Sequence, residues 1–311
     1  MSVAIVGAGL SGLTIANLLT EVGVSSVLFE KSKSVGGRMA TRRDATCTFD
    51  HGAQFFYENA EEDFFWQTRW QKNMTSKPWF SDQQKNYFCG VKGMTSLAKD
   101  LALKQNIFFN EKVVSLETFE AETEVHCESG NSFRVSAVIL TSPLPQSLDI
   151  LRSSKIEYPK NLEIIQYAKG LVGLFQIEGA SLDINLLYPK GAIFSIASNL
   201  AKGISQNEAL TVVMNAEFSE LYFNEQDQVI LELIESELLK VLEKNIQIQA
   251  KQLKKWKYSH PLSIYQEKFL FLSNKKIILA GDAFGGGSLN GAVRSARAVF
   301  EKFYQDGAFK L

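Results

Sequence analysis

The chain opens on a run that leaves few folds available to it. Ser2-Val3-Ala4-Ile5-Val6 is apolar, Gly7-Ala8-Gly9-Leu10-Ser11-Gly12 follows without a break, and Leu13-Thr14-Ile15-Ala16-Asn17-Leu18-Leu19 then takes up a helical apolar spacing. This order predicts a buried strand, a tight glycine turn and a helix start, the opening of a βαβ unit that binds a dinucleotide. Gly7 permits the turn, Gly9 lets a pyrophosphate approach the backbone, and Gly12 lets the helix pack close to the strand. The first N–H groups and the positive dipole end of that helix then face the phosphates. The glycine pattern alone specifies little; its flanks make it specific. The next strand, Ser26-Val27-Leu28-Phe29-Glu30, ends on an acid close to the ~20 residues expected past such a turn. A carboxylate there accepts hydrogen bonds from ribose hydroxyls and repels a 2′-phosphate.

With 311 residues the chain can bury a large core, and its length suggests about two domains. A net charge of −1 gives no electrostatic reason to propose nucleic acid or an anionic membrane as partner. Lys251 to Lys257 is the most basic stretch, but Leu253 and Trp256 interrupt it, and it reads as one solvated strand face or, as the less ordinary alternative, a phosphate-binding one. Cys47, Cys89 and Cys127 are far apart and odd in number, so neither a disulfide framework nor a CxxC metal site can be drawn, and a reducing compartment fits. No apolar run nears the ~20 residues that cross a membrane. The first residues lack the basic region of a signal peptide. The expectation is a cytoplasmic protein that begins at or near Met1.

The order of elements gives the fold class. After the first βαβ signal comes a loop rich in Gly, Lys and Arg, Lys31 to Arg43. Helices are expected over Glu61 to Lys72 and Gly93 to Lys104. Short strands are expected at Ile107 to Phe109 and Val113 to Leu116, and a hairpin joins Glu124 to Cys127 with Phe133 to Val135. Ala137-Val138-Ile139-Leu140 reads as a strand buried on both faces. Leu171 to Ile177, Ala192 to Ile196 and Leu210 to Asn215 read as strands of a second sheet. Val229 to Leu242 is an amphipathic helix with Ile230, Leu233, Ile234, Leu238 and Leu242 on one stripe. Lys275 to Asp282 returns to the parallel-strand style of the N-terminus. The cofactor domain is thus assembled from both ends of the chain: residues 1–56, 93–147 and 265–311, with 57–92 and 148–264 forming a substrate domain.

Four further segments carry chemistry. In Gly36-Gly37-Arg38-Met39, two glycines let the backbone lie close to a cofactor and the Arg38 fork can neutralise pyrophosphate. Asp50-His51-Gly52-Ala53-Gln54-Phe55-Phe56 sets a polar group beside two aromatics that can wall a flat ring, which Gln54 can hydrogen-bond. His51 is either a base or, more ordinarily, a structural partner of the adjacent Asp50. In the third segment, Gly281 to Ala292, Asp282 can bond a ribityl hydroxyl, and Asn290-Gly291-Ala292 opens the last helix, whose N-terminus stabilises negative charge. On a strand, Trp256 and Tyr258 share one face and either line a planar substrate or pack in the core.

Together these residues resemble the FAD-dependent amine oxidase and phytoene desaturase superfamily, and within it the renalase-type members most. The likeness rests on Gly7 to Gly12, Glu30, the run Gly36 to Arg43, Asp50 to Phe56, Lys92-Gly93-Met94, Thr141-Ser142-Pro143, Trp256 to Tyr258 and Gly281-Asp282. It is weakest from Ser153 to Ala250. The resemblance implies an α/β protein with a glutathione-reductase-like Rossmann domain for non-covalent FAD and an inserted mixed-sheet α+β substrate domain. It assigns Arg38 to the cofactor's pyrophosphate and Glu30 to its adenosine ribose, and Gly7, Ala8, Gly9, Leu10, Ser11, Gly12, Lys31, Gly37 and Met39 are expected among the cofactor-binding residues. The Val113 backbone would meet adenine and Asp282 the ribityl chain, with Asn290, Gly291 and Ala292 on the pyrimidine edge and Gln54, Phe55 and Phe56 beside the ring. Arg42, Phe55, Trp256 and Tyr258 are the expected substrate contacts. Covalent flavin attachment in the superfamily uses a late cysteine, and Cys127 is the last one here.

Renalase-type enzymes oxidise dihydropyridine isomers of NAD(P)H and pass the electrons to O2, giving H2O2. A dihydropyridine is already a hydride donor, so this chemistry asks mainly for orientation and electrostatics. No catalytic residue is assigned from the sequence. The alternatives are a flavin amine oxidase, for which no lysine can be placed from spacing, a desaturase of an apolar substrate, and a flavin-bound module without turnover.

Overall fold

The computed structural model describes residues 2–58, 64–178, 182–242, 246–272 and 276–305. The chain divides into two compact units: Met1–Gly37, Ala98–Gln166 and His260–Leu311 form the first, and Arg38–Leu97 and Tyr167–Ser259 the second. The dividing points therefore fall at 37, 97, 166 and 259, not at the expected 56, 92, 147 and 264. The reason for the first lies in the hairpin of Thr41–Arg43 with Thr48–Asp50. Its Cys47 and Phe49 pack with Val172, Leu174 and Ala209, apolar residues of the second unit.

The first unit is built on a six-stranded sheet. Its spatial order is Leu270–Leu272, Ile277–Leu279, Ala137–Leu140, Ser2–Val6, Ser25–Glu30 and Asn106–Phe109. All neighbours run parallel except the outermost pair, Leu270–Leu272 against Ile277–Leu279. Val3, Ala4, Ile5, Val138, Ile139, Leu140 and Ile277 to Leu279 are buried, as continuous apolar runs in a doubly covered parallel sheet should be. The chain leaves Ser2–Val6 for neighbours on either side, so the first strand sits at the topological switch point. Phe29, Phe108 and Phe133 form an aromatic cluster where a meander of Val113–Thr118, Thr123–Cys127 and Ser132–Val135 begins to cover the sheet.

The second unit carries a five-stranded sheet in the order Leu186–Leu187, Ile193–Ser198, Ala209–Met214, Tyr167–Glu178 and Gln247–Pro261. The helix Asp227–Leu242 lays Ile230, Ile234, Leu238 and Leu242 into its core beside Leu171, Phe175 and Val212. Each such side chain contributes about 1.5–3 kcal/mol on burial. Leu233, expected on that stripe, is only half-buried. A smaller sheet joins Phe56–Glu58, Asn86–Gly90 and Ser76–Ser81.

Two expected helices are shorter than their patterns. Among the described residues, the first covers only Gln67–Lys72; Glu61 to Asp63 lie outside them, and Phe64, Phe65 and Trp66 form a turn. Consecutive aromatics lose side-chain freedom in a helix, and here Phe64 and Trp66 are buried from the turn. The second covers Thr95–Ala102 because Gly93 (φ +85°) and Lys104 (φ +68°) adopt left-handed conformations at its two ends. Among the described residues no helix is long and apolar enough to cross a membrane.

Candidate functional site

In the first unit the carboxyl ends of three parallel strands come level. Val6 registers with Phe29 on one side and Leu140 on the other. The glycine turn begins immediately beyond, with Gly7 at φ +103°. A Cβ on Gly12 would stand 2.1 Å from the Gly7 carbonyl oxygen, so only glycine lets the helix Leu10–Glu21 start this close to the strand. A Cβ on Gly9 would meet nothing within 4 Å, so the turn is open at that position. Gly9 caps the helix without a side chain. Ser11 Oγ is buried there with no hydrogen-bond partner. An orphaned hydroxyl beside an uncapped helix N-terminus fits an anionic phosphate, which would satisfy both.

The first unit also carries most of the residues expected to hold a dinucleotide. Glu30 Oε2 accepts from Ala8 N at 2.9 Å and Oε1 from Ser32 N at 2.8 Å, so the carboxylate clamps the turn it serves. Gly36 N donates to Ala8 O at 2.9 Å and brings Gly37 alongside Gly9. Lys31 points outward to Gln146. Val113 is buried and pairs opposite Cys127 at a register shift in the meander. Asp282 does not end the strand; it lies three residues past Leu279, after Gly281 (φ +130°), and opens the short helix Asp282–Gly285. Asn290, Gly291 and Ala292 lie in the first turns of the helix Ser288–Gln305. Gly291 packs so tightly on Gly285 that a Cβ on Gly285 would come within 1.7 Å of its carbonyl oxygen.

The second unit holds the other expected residues around a buried charge pair. Asp50 and Lys202 have fully enclosed side chains, with Lys202 Nζ 3.4 Å from Asp50 Oδ2. Asp50 Oδ1 accepts from Thr41 Oγ1 at 2.6 Å and from Met94 N at 2.8 Å. Lys202 Nζ donates to Gln54 Oε1 at 2.7 Å and lies 4.9 Å from the Trp79 ring centre. Burial pushes the Lys202 ammonium down, against the upward pull of Asp50, and pushes the nearby Cys89 thiol up to about 11. Nothing in the sequence marks Lys202, which follows the strand Ile193–Ser198 in an irregular loop.

Several expected roles change with this geometry. Asp50 is not the partner of His51; its carboxylate is taken by Thr41, Met94 and Lys202. His51 instead stacks on Trp256 at 5.6 Å, its carbonyl accepts from Trp256 Nε1 at 2.8 Å, and its buried Nδ1 has no partner. Burial first, then Lys254 and Arg42, lower its pKa from 6.5 to about 4, so His51 is neutral. The Gln54 amide is committed inside the unit, donating to Asp50 O and Gly52 O while accepting from Lys202. Phe55 and Phe56 diverge. Phe55 joins an aromatic wall with Tyr57, Trp79 and Tyr87, whereas Phe56 is 2% exposed among Phe64, Trp70 and Phe88. Met39 is buried, Arg38 donates to Ser259 O at 3.1 Å and rests on Tyr167, and Tyr258 packs edge-on to Tyr167. The basic stretch is not one solvated face. Lys251 and Lys255 pair with Glu235 and Asp227, whereas Lys254 lies over the ring of Trp256.

Comparison with known proteins agrees with this architecture. Residues 5–67 match the model of an NAD(P)-binding Rossmann-like domain, and residues 58–299 match that of the flavin containing amine oxidoreductases. The renalase of Mus musculus is 25% identical, over 96% of this chain and 97% of its own. A putative protoporphyrinogen oxidase from Exiguobacterium superposes with a TM-score of 0.73 at 13% identity, covering 98% of this chain and 99% of the other. A Pyrococcus furiosus protein superposes with a TM-score of 0.66 at 15% identity, covering 98% of each chain. The chain belongs to the flavin-containing amine oxidoreductase family and is an FAD-dependent oxidoreductase.

Proposed function

We propose that the protein is a renalase-like oxidase that converts dihydropyridine isomers of NAD(P)H to NAD(P)+, with O2 and a proton taken up and H2O2 released. The observation that carries this reading is the alignment with a renalase along nearly the whole of both chains. Bound FAD supplies the two-electron acceptor. The uncapped helix start and Ser11 hydroxyl would receive its pyrophosphate, Glu30 its ribose, the Val113 backbone its adenine, Asp282 its ribityl chain and the turn at Asn290 to Ala292 its pyrimidine edge. Gln54 and Phe56 are left out of this set, because the amide is committed to Lys202 and backbone carbonyls and the ring is in the core.

The substrate asks little acid–base help of the protein, and the site matches that demand. His51, with a pKa of about 4, is a poor base at neutral pH. The protein's part is to orient a planar ring and exclude water, which the aromatic wall of Phe55, Trp79 and Tyr87 suits. One observation favours the amine-oxidase alternative: Lys202 is a lysine whose side chain is fully enclosed, which the sequence did not reveal. Peroxide release from 2- and 6-dihydro isomers of NADH and NADPH, beside a panel of primary amines and polyamines, tests the proposal. Peroxide from at least one isomer supports it; peroxide from amines alone, or from neither, overturns it.

A further inference from the structure

The strand Gln247–Pro261 sorts its lysines by face. Lys251 and Lys255 point one way, into ion pairs with Glu235 at 2.5 Å and Asp227 at 2.8 Å. Lys254 points the other way, beside Trp256, with its Nζ 4.7 Å from the indole centre. Lys254 is half-buried, and among the described residues it forms no ion pair. Arg42 is exposed on the strand Thr41–Arg43 and among the described residues likewise forms no ion pair. The fold sets both cations beside one indole: Arg42 registers opposite Phe49, whose apolar cluster Trp256 packs against, and Lys254 lies over that same Trp256; burial, then Arg42, pushes the Lys254 ammonium down. The hairpin's own carboxylates are engaged elsewhere: Asp44 is turned into its loop, where it accepts from Thr46 N and Cys47 N, and Asp50 is taken by Thr41, Met94 and Lys202. His51 adds a buried ring nitrogen without a partner and stacks on the same indole.

Two like charges held together with no anion between them cost free energy, and partial burial raises that cost. A bound anion removes it. We infer that Arg42 and Lys254, over the Trp256–His51 stack, form a binding subsite for a phosphate group. Guanidinium and ammonium divide the work, the fork meeting two phosphate oxygens and the point charge a third. The inference that this phosphate is carried by the substrate rests on the proposed function, since a dihydronicotinamide nucleotide bears phosphate and the free ring does not.

The test has two arms on the FAD-loaded protein, in which the cofactor's own phosphate site is filled. In the first, inorganic phosphate is titrated by calorimetry into the wild type and into Lys254→Gln, Arg42→Gln and the control Lys251→Gln. Saturable, salt-sensitive binding that weakens at least tenfold in the Lys254 and Arg42 variants, and not in the control, supports the subsite. No saturable binding to the wild type, or equal binding by all four proteins, overturns it. Lys254→Arg keeps the charge and should retain binding, which separates lost charge from lost folding. In the second arm, initial rates are compared for a dihydronicotinamide mononucleotide and its unphosphorylated riboside. A wild-type preference of tenfold or more in kcat/KM for the mononucleotide, collapsing in Lys254→Gln, places the phosphate on the substrate. Equal rates for both, with phosphate binding intact, overturn the substrate-borne assignment. If neither compound reacts, the substrate-borne assignment falls, the first arm alone decides the subsite, and the dinucleotide isomers decide the proposed function.

Discussion

Lys202 and Asp50 form an ion pair at 3.4 Å in which neither side chain reaches solvent. A pair in that setting is weak support for stability as such, because desolvation offsets most of the attraction. Its loss is another matter. Removing the ammonium leaves a buried carboxylate facing only the Thr41 hydroxyl and the Met94 N–H, and strips Gln54 Oε1 of its donor.

Lys202→Met should therefore destabilise the folded protein by about 3–5 kcal/mol, the usual cost of an uncompensated buried charge. Urea unfolding midpoints check this. The double variant Lys202→Met with Asp50→Asn should recover part of the loss, since the charge then goes with its partner. A single-variant loss below about 1 kcal/mol would mean that the pair is solvated in practice.

His51 gives the protein an acid-side weakness of known sign. Its folded pKa of about 4 lies below the ordinary 6.5, so between those values the unfolded chain binds a proton that the folded chain refuses. The contribution is complete above pH 6.5 and is lost as pH falls toward 4. Moving from pH 7 to pH 5 should cost the wild type about 2 kcal/mol more than it costs His51→Gln. Paired urea titrations at the two pH values measure the difference, and parallel losses in both proteins would refute it.

The glycine turn separates fold from cofactor. Gly12→Ala puts a methyl 2.1 Å from the Gly7 carbonyl oxygen, so it should lower the melting temperature of the FAD-free protein and abolish flavin uptake. Gly9→Ala meets no atom within 4 Å and sits at φ −77°, so the FAD-free protein should melt within about 0.5 kcal/mol of wild type. Its affinity for FAD should fall tenfold or more, because the methyl occupies the phosphate's approach. Melting curves and FAD titrations of both variants check the contrast.

The thiols should be silent. Cys47, Cys89 and Cys127 are free and buried, and burial pushes the Cys89 and Cys127 thiols up to about 11 and about 12. A thiol reagent at pH 8 should label none of them quickly in the native protein and all three after unfolding.

How much of this was legible in the sequence follows from how local each signal is. The strand, turn and acid at Val6, Gly7 to Gly12 and Glu30 obey short-range rules, and the structure places them as those rules require. The stripe of Ile230, Ile234, Leu238 and Leu242 was readable for the same reason. Lys202 was not, because its partners Asp50 and Gln54 lie about 150 residues away and no periodicity links them. The Asp50–His51 pairing failed because the strand Thr48–Asp50 ends at Asp50, whose carboxylate is taken by Thr41, Met94 and Lys202, while His51 beyond it stacks on Trp256. Phe56, which opens the strand Phe56–Glu58, goes to the core while Phe55 just before it joins the aromatic wall, and alternation along Gln247–Pro261 divides the lysines of the basic stretch. The register of those faces is set by long-range packing, which a single sequence does not display.

The measurement closest to the central claim is the visible absorption spectrum of the purified protein, recorded before and after anaerobic addition of partly isomerised NADH. A flavin spectrum that bleaches at once and returns on admitting air is the result expected of a dihydronicotinamide oxidase. A flavin spectrum that stays oxidised, with the isomers unconsumed, would contradict that assignment.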